Sequence, residues 1–227
     1  MIYSLSDTHL DGNQNKPMDI FGEKWINHKE KITNNWINCI REDDFVLICG
    51  DVSWALKLNE AIDDLRFIDS LPGKKIITRG NHDFWWSSLR KMNDLNLKSI
   101  HFLQNDSIEI DNHTIVGSRG WMDKSCKDFT KDDLKIFDRE LIRIKLSLDS
   151  CINKNDIICM LHYPPFDLNK EPNEIFYLLK EYNVNTILYG HLHGMGHINA
   201  VEGIIEGIEV RCTSADYINF CPVLIRR

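Results

Sequence analysis

At 227 residues with a net charge of −7, the chain is long enough for one sizeable domain and carries the wrong overall sign for a nucleic-acid backbone or an anionic membrane surface. No run approaches the ~18–20 apolar residues of a membrane span, and the opening Ile2-Tyr3-Ser4-Leu5 has neither the basic nor the apolar region of a secretory signal. The seven cysteines are scattered without a Cys-x-x-Cys pair, so they read as free thiols and place the expected location in a reducing cytoplasm.

Met1 to Leu5 reads as a short strand that delivers Ser6-Asp7-Thr8-His9. Asp11 to Phe21, with Gly12 and Pro17, reads as loop. Apolar residues from Trp25 to Arg41 keep a helical period. Phe45-Val46-Leu47-Ile48-Cys49 is an uninterrupted apolar run, the pattern of a strand buried on both faces, and it ends in Gly50-Asp51. Asn59 is placed to cap a helix carrying Ile62, Leu65, Ile68 and Leu71, which Pro72-Gly73 stops. Lys75 to Thr78 is a third strand, running into Arg79-Gly80-Asn81-His82-Asp83.

A short helix is expected over Ser87 to Leu95. Strands at Ile100–Leu103 and Ser107–Ile110 then lead through an Asp111-Asn112 turn to a return strand at Thr114–Val116. Thr130 to Ser150 is the longest helical pattern. Strand Ile157 to Leu161 delivers His162, helix Asn173 to Tyr182 follows, and strand Thr186 to Tyr189 ends in Gly190-His191-Leu192-His193-Gly194. The remainder reads as β-hairpins. No linker, repeat or low-complexity tract divides the chain, so residues 1–227 are expected to form one domain of layered α/β (α+β) type rather than a single doubly wound sheet.

Five of these strands end in metal-ligand chemistry. Asp7, His9, Asp51, Asn81, His162, His191 and His193 each lie just beyond a strand, where α/β sheets place their ligands. Taken singly, Asp51 after Gly50 and the Gly80–Asp83 run also fit ordinary turns, and His162 also fits a hydrogen-bonded histidine. Together they supply two carboxylates, four imidazoles and an amide oxygen, a donor set that suits Mn, Fe, Zn, Co or Ni rather than Ca or Mg. Seven ligands exceed the needs of one ion. With one shared aspartate they suffice for two ions about 3.5–4 Å apart, the arrangement of two-metal hydrolases.

The ordered set Asp7-x-His9, Gly50-Asp51, Gly80-Asn81-His82-Asp83, His162 and Gly190-His191-x-His193 resembles the calcineurin-like metallophosphoesterase superfamily, and within it a prokaryotic branch of predicted phosphohydrolases. The resemblance implies a four-layer αββα sandwich of two mixed β-sheets, with the metal site at the strand C-terminal ends. It implies that Asp7, His9, Asp51 and His193 hold one divalent transition-metal ion and that Asp51, Asn81, His162 and His191 hold the other. Mn is the ion expected to support activity in vitro. His82 would face the substrate as proton donor, and Arg79 and Arg119 are candidates for phosphate contact, although a salt bridge is an equal reading of either.

Two departures bear on the substrate. The protein Ser/Thr phosphatases of the superfamily carry a second aspartate three residues after the bridging one, where this chain has Trp54, and a glutamate where it has Asp83. Both argue against a phosphoprotein phosphatase and for a small organophosphate mono- or diester. Trp54, Trp85 and Trp86 fit either a stacking wall or core packing. His197 and Tyr163 are expected to support the ligands, while His28, His101 and His113 are expected on the surface. A nuclease is the enzymatic alternative, disfavoured by the acidic charge and the lack of a capping domain. A non-catalytic metal-binding scaffold is disfavoured because no ligand position is vacant. Oligomeric state is not legible.

Overall fold

The computed structural model describes residues 1–12, 16 and 18–227; Pro17 of the expected 11–21 loop lies outside them, and Met18–Phe21 forms a 3₁₀ turn. The strands are β1 (Ile2–Ser4), β2 (Phe45–Ile48), β3 (Lys74–Ile77), β4 (Ile100–Phe102), β5 (Ile108–Ile110), β6 (His113–Ser118), β7 (Ile157–Leu161), β8 (Thr186–Tyr189), β9 (Gly203–Ile205), β10 (Ile208–Cys212) and β11 (Val223–Arg226). The helices are α1 (His28–Cys39), α2 (Ile62–Ser70), α3 (Leu89–Asn93), α4 (Lys131–Asp149) and α5 (Glu174–Glu181). One sheet has the order β11-β1-β2-β3-β4 and the other β5-β6-β7-β8-β10-β9. Both are mixed: β1 to β4 run parallel with β11 opposed, and β6, β7, β8 and β10 run parallel between opposed β5 and β9.

The period-two alternation of buried strands builds the layers. Along β2, Val46 and Ile48 face a cluster shared with Ile32 and Trp36 of α1 and Leu65 and Ile68 of α2. Leu47 faces the other way, into a core with Ile2, Ile76, Ile115, Ile158, Met160 and Leu188 from both sheets. Along β7 the same alternation sends Ile157, Cys159 and Leu161 towards Phe137, Ile144 and Leu148 of α4 and Phe176 and Leu179 of α5. Three apolar cores separate four layers, in the order helix, sheet, sheet, helix. Among the described residues no helix is long and apolar enough to cross a membrane, and all seven cysteines are free thiols.

Several local expectations needed correction. Asn59 does not cap α2; the Glu60 carboxylate instead accepts from the amides of Leu56 and Lys57, closing a turn that delays the helix to Ile62. Trp25 precedes α1 in a 3₁₀ turn, because left-handed Asn27 (φ 53°) breaks the helical run. The C-terminal stretch is not all hairpin: Gly194–Asn199 is a 3₁₀ segment, only β9 and β10 pair as a hairpin, and β11 returns to the first sheet.

The two sheets are tied together where the ligand loops begin. The Ser6 amide donates to the Thr213 carbonyl at 2.8 Å, the Ala215 amide donates to the Ser6 carbonyl at 2.9 Å, and the Ser6 and Thr213 hydroxyls lie 2.9 Å apart. The extensions of β1 and β10 therefore converge at one edge, so the C-terminal ends of the parallel strands of both sheets face one another.

Candidate metal centre

All seven candidate ligands meet at that edge. Asp7, His9, Asp51 and His162 are buried, while Asn81, His191 and His193 are half-buried and close the site on its solvent side. Donor atoms of Asp7, His9 and His193 lie within 4.8 Å of one another, as do those of Asp7, Asp51 and His162. Asn81 Oδ1 lies 2.5 Å from His162 Nε2 and 2.9 Å from His191 Nδ1. Asp7 is common to both groups, and Asp51 Oδ2 of the second lies 3.8 Å from His9 Nε2 of the first and 3.4 Å from His162 Nε2 of its own.

The backbone bends sharply to do this. Asp7 (φ 58°), His9 (φ 44°), Asp51 (φ 53°) and His191 (φ 72°) all sit in the left-handed region, at a cost of about 1–2 kcal/mol each for non-glycine residues. Four of the thirteen non-glycine residues with left-handed backbone among the described residues are thus candidate ligands. Two glycines make room for the carboxylates: a Cβ on Gly80 would overlap the Asp51 carboxylate and one on Gly190 that of Asp7.

Hydrogen bonds fix which ring atoms point inward. His162 Nδ1 donates to the Cys49 carbonyl at 2.9 Å, leaving the Nε2 lone pair facing Asn81 Oδ1. His193 Nδ1 donates to Asp216 Oδ1 at 2.7 Å, and its Nε2 lies 3.2 Å from His9 Nε2. Burial and the neighbouring imidazoles hold His191 down at about 3, and burial holds His162 down at about 4 despite Asp7, so both are neutral and free to donate a lone pair. Burial works against a charge on His193, but the carboxylates of Asp216 and Asp7 push it up to about 10. Burial, then the charges of Asp83 and Asp7, pushes the Asp51 carboxyl well above the usual range.

This donor set fits divalent cations. Asp51 Oδ2 and His9 Nδ1 are buried polar atoms without a hydrogen-bond partner among the described residues. The lone pairs of His162 Nε2 and Asn81 Oδ1 face a common point, and two buried carboxylates repel each other there. Cations would satisfy the lone pairs and neutralise the charge together.

Two further residues hold the site in roles that the sequence did not disclose. Asp83 is fully buried and accepts from the amides of Gly80, Asp51, Val52 and Ser53 and from Trp85 Nε1, tying the loop after β3 to the loop after β2. Asp216 accepts from His193 Nδ1 and the Gly194 amide, and His197 Nε2 lies 3.1 Å from its other oxygen. We expect Asp216→Asn to lower metal affinity ~10–100-fold, the usual effect of losing a carboxylate that orients a ligating histidine. Titration of chelated protein with Mn would measure it, and an unchanged affinity would remove Asp216 from the support of His193.

His82 lies outside both donor groups. Its amide donates to Asp51 Oδ1 at 2.8 Å, and its half-buried ring packs against Trp54 (centroids 4.4 Å apart) and Phe84 (6.4 Å). Trp54 also stacks on His9 at 4.9 Å. His9, His82, His193, Trp25 and Trp54 line a pocket of about 140 Å³ beside the site. The three tryptophans thus divide: Trp85 is core, Trp54 walls the site, and Trp86 bonds Gln104 further round the edge. Tyr163 stacks on His191 at 4.1 Å. His28 is not a free surface residue; its Nε2 lies 3.3 Å from the His9 carbonyl and its ring packs on Trp25. His101 and His113 do lie at the periphery, near Asp106 and Asp156. Arg119 pairs with buried Glu140, and Arg79 lines the same neighbouring pocket rather than the metal centre.

Solved structures share this fold at low identity. A phosphopantetheinyl hydrolase from Mycobacterium tuberculosis superposes with a TM-score of 0.57 at 13% identity, covering 99% of this chain and 96% of its own. A protein of unknown function from Aquifex aeolicus gives 0.53 at 17%, covering 98% and 94%. The protein TT1561 of Thermus thermophilus gives 0.56 at 12%, covering 92% and 86%. No curated protein matches the sequence. The family model of calcineurin-like phosphoesterases matches residues 1–195, and the chain belongs to that family.

Proposed function

We propose that the protein is a dinuclear metal-dependent phosphoesterase acting on a small organophosphate mono- or diester. Family membership points to metal-dependent phosphoester hydrolysis. The observation that carries the finer reading is the position of Asp51 Oδ2, unpartnered between one imidazole of each donor group. Asp7, His9, Asp51 and His193 would hold one ion and Asp51, Asn81, His162 and His191 the other. When bound, such ions lower the pKa of water and neutralise phosphoryl oxygens.

The chain's own part is to hold and orient. Asp216 and the Cys49 carbonyl fix the tautomers of His193 and His162. Asp83 locks the two loops that present Asp51 and Asn81. Trp25 and Trp54 pack against the His9 ring and hold it in place. His82, half-buried beside the site, would protonate the departing oxygen, with burial and the neighbouring His193 making it a stronger acid than a free imidazolium. Trp54 packs against that histidine where a protein phosphatase would have a carboxylate, which favours small substrates.

With Mn added, we expect hydrolysis of bis-p-nitrophenyl phosphate, p-nitrophenyl phosphate or both. The hydrolase neighbour makes a phosphopantetheinyl compound a reasonable member of a wider panel. Metal-loaded protein that turned over no member of a broad phosphoester panel would sink the enzymatic reading in favour of metal-dependent binding.

A further inference from the structure

The Asn81 loop and the strand end beside His162 carry two arginines into a pocket that none of the seven candidate ligands lines. Arg79 leaves two residues before Asn81. Arg119 leaves the end of β6, where its carbonyl accepts the amides of His162 and Tyr163, both at 3.0 Å. With Arg143 from α4 they line a pocket of about 290 Å³, bounded by Trp86 and Gln104. That is several times the roughly 30 Å³ of one water.

The charges in this pocket do not balance. Among the described residues its only acidic lining residue is fully buried Glu140, which lies 3.3 Å from Arg119 Nη2 and 2.5 Å from Arg143 Nη1 and accepts from the Ser118 hydroxyl at 2.5 Å. Arg79 makes no hydrogen bond or ion pair among the described residues. The carboxylate with the strongest pull on it, Asp83, is already occupied by amides and Trp85. The Nε atoms of Arg79 and Arg119 are both buried and unpartnered. Three guanidinium groups therefore face one carboxylate. Burying such donors unmatched is unfavourable, and a guanidinium matches the geometry of phosphate oxygens.

We propose that Arg79, Arg119 and Arg143 form a second anion site, beside and distinct from the metal centre, that binds a phosphate dianion. The anion is either a second phosphate of the substrate or free inorganic phosphate. The site does not depend on the hydrolytic reading, since it uses none of the metal ligands.

Calorimetric titration of the full, metal-loaded chain with inorganic phosphate tests it. Arg143→Gln and Arg79→Gln are each expected to weaken one class of phosphate binding by tenfold or more, whereas Asp51→Asn retains that class. Arg79→Gln breaks no hydrogen bond or ion pair among the described residues, so a folding defect in Arg143→Gln would not leave the question open. Phosphate binding unchanged in both arginine variants would overturn the proposal; loss only in Asp51→Asn would do the same, assigning all binding to the metal centre. The source of the anion follows from kcat/KM of the unaltered protein on matched compounds bearing one or two phosphates. A preference of tenfold or more for two, collapsing in Arg79→Gln, identifies a substrate phosphate. No preference, with the calorimetric site intact, identifies free phosphate.

Discussion

Asp51→Asn is expected to abolish metal-dependent turnover while leaving the fold intact. The substitution keeps one oxygen, which still accepts the His82 amide as Oδ1 does at 2.8 Å. What changes is Oδ2, the buried atom without a partner that stands 3.8 Å from His9 Nε2 and 3.4 Å from His162 Nε2. An amide nitrogen there donates and cannot ligate, and the negative charge that would offset two cations is gone. Turnover is expected to fall on the order of 10³-fold or more, about 4 kcal/mol of transition-state stabilisation. Metal analysis should show less than two ions per chain.

Stability should respond in the other direction. In chelated protein Asp51 is a buried carboxyl raised by burial and by Asp83 and Asp7, so removing its charge relieves repulsion. Urea unfolding of chelated Asp51→Asn should therefore show no loss of stability. A variant that unfolds readily would make Asp51 a structural residue, and one that keeps both ions and full turnover would remove it from the bridging role.

Much of the centre was legible because its parts are local. Each ligand follows a strand whose apolar run is readable by itself, so Gly50-Asp51 after Phe45–Cys49 and His162 after Ile157–Leu161 needed only the assumption that parallel strands end at one edge. The four-layer order came from the resemblance; the alternation of Val46 and Ile48 against Leu47 shows why the sequence supports it, since β2 is apolar on both faces. The supports were not legible for the opposite reason. Asp83 looked like a difference from a phosphatase pattern, but its partners at Asp51 to Ser53 lie about thirty residues away and are backbone amides, which leave no mark on side-chain identity. Asp216 follows no strand-end histidine signal, and it meets His193 only because β10 pairs with β8. His28 was misread because a histidine at a helix start gives no hint that the His9 loop folds down onto it. The Arg119–Glu140 pair joins a strand end to a helix twenty-one residues on, beyond any helical spacing rule.

His82→Ala is the sharper test of mechanism, because it separates binding ions from using them. The His82 ring belongs to neither donor group, and the one contact it gives Asp51 is through its backbone amide, which alanine keeps. Metal content should therefore stay at the level of the unaltered protein. Turnover should fall by ~10²–10⁴, the range for loss of a general acid or base. The size of the fall should depend on the leaving group. An alkoxide must take a proton as the P–O bond breaks, whereas p-nitrophenolate leaves with its charge spread over the ring. The loss should thus be near the upper end for an alkyl phosphate and smaller for p-nitrophenyl phosphate, with KM for the latter little changed. The Trp54 and Phe84 rings that pack on His82 border the vacated space, and Trp54 keeps its stacking on His9. Loss of metal on this substitution would mean that the histidine is a ligand. Equal losses for both leaving groups would mean that it steadies the phosphoryl oxygens, and that the proton comes from solvent.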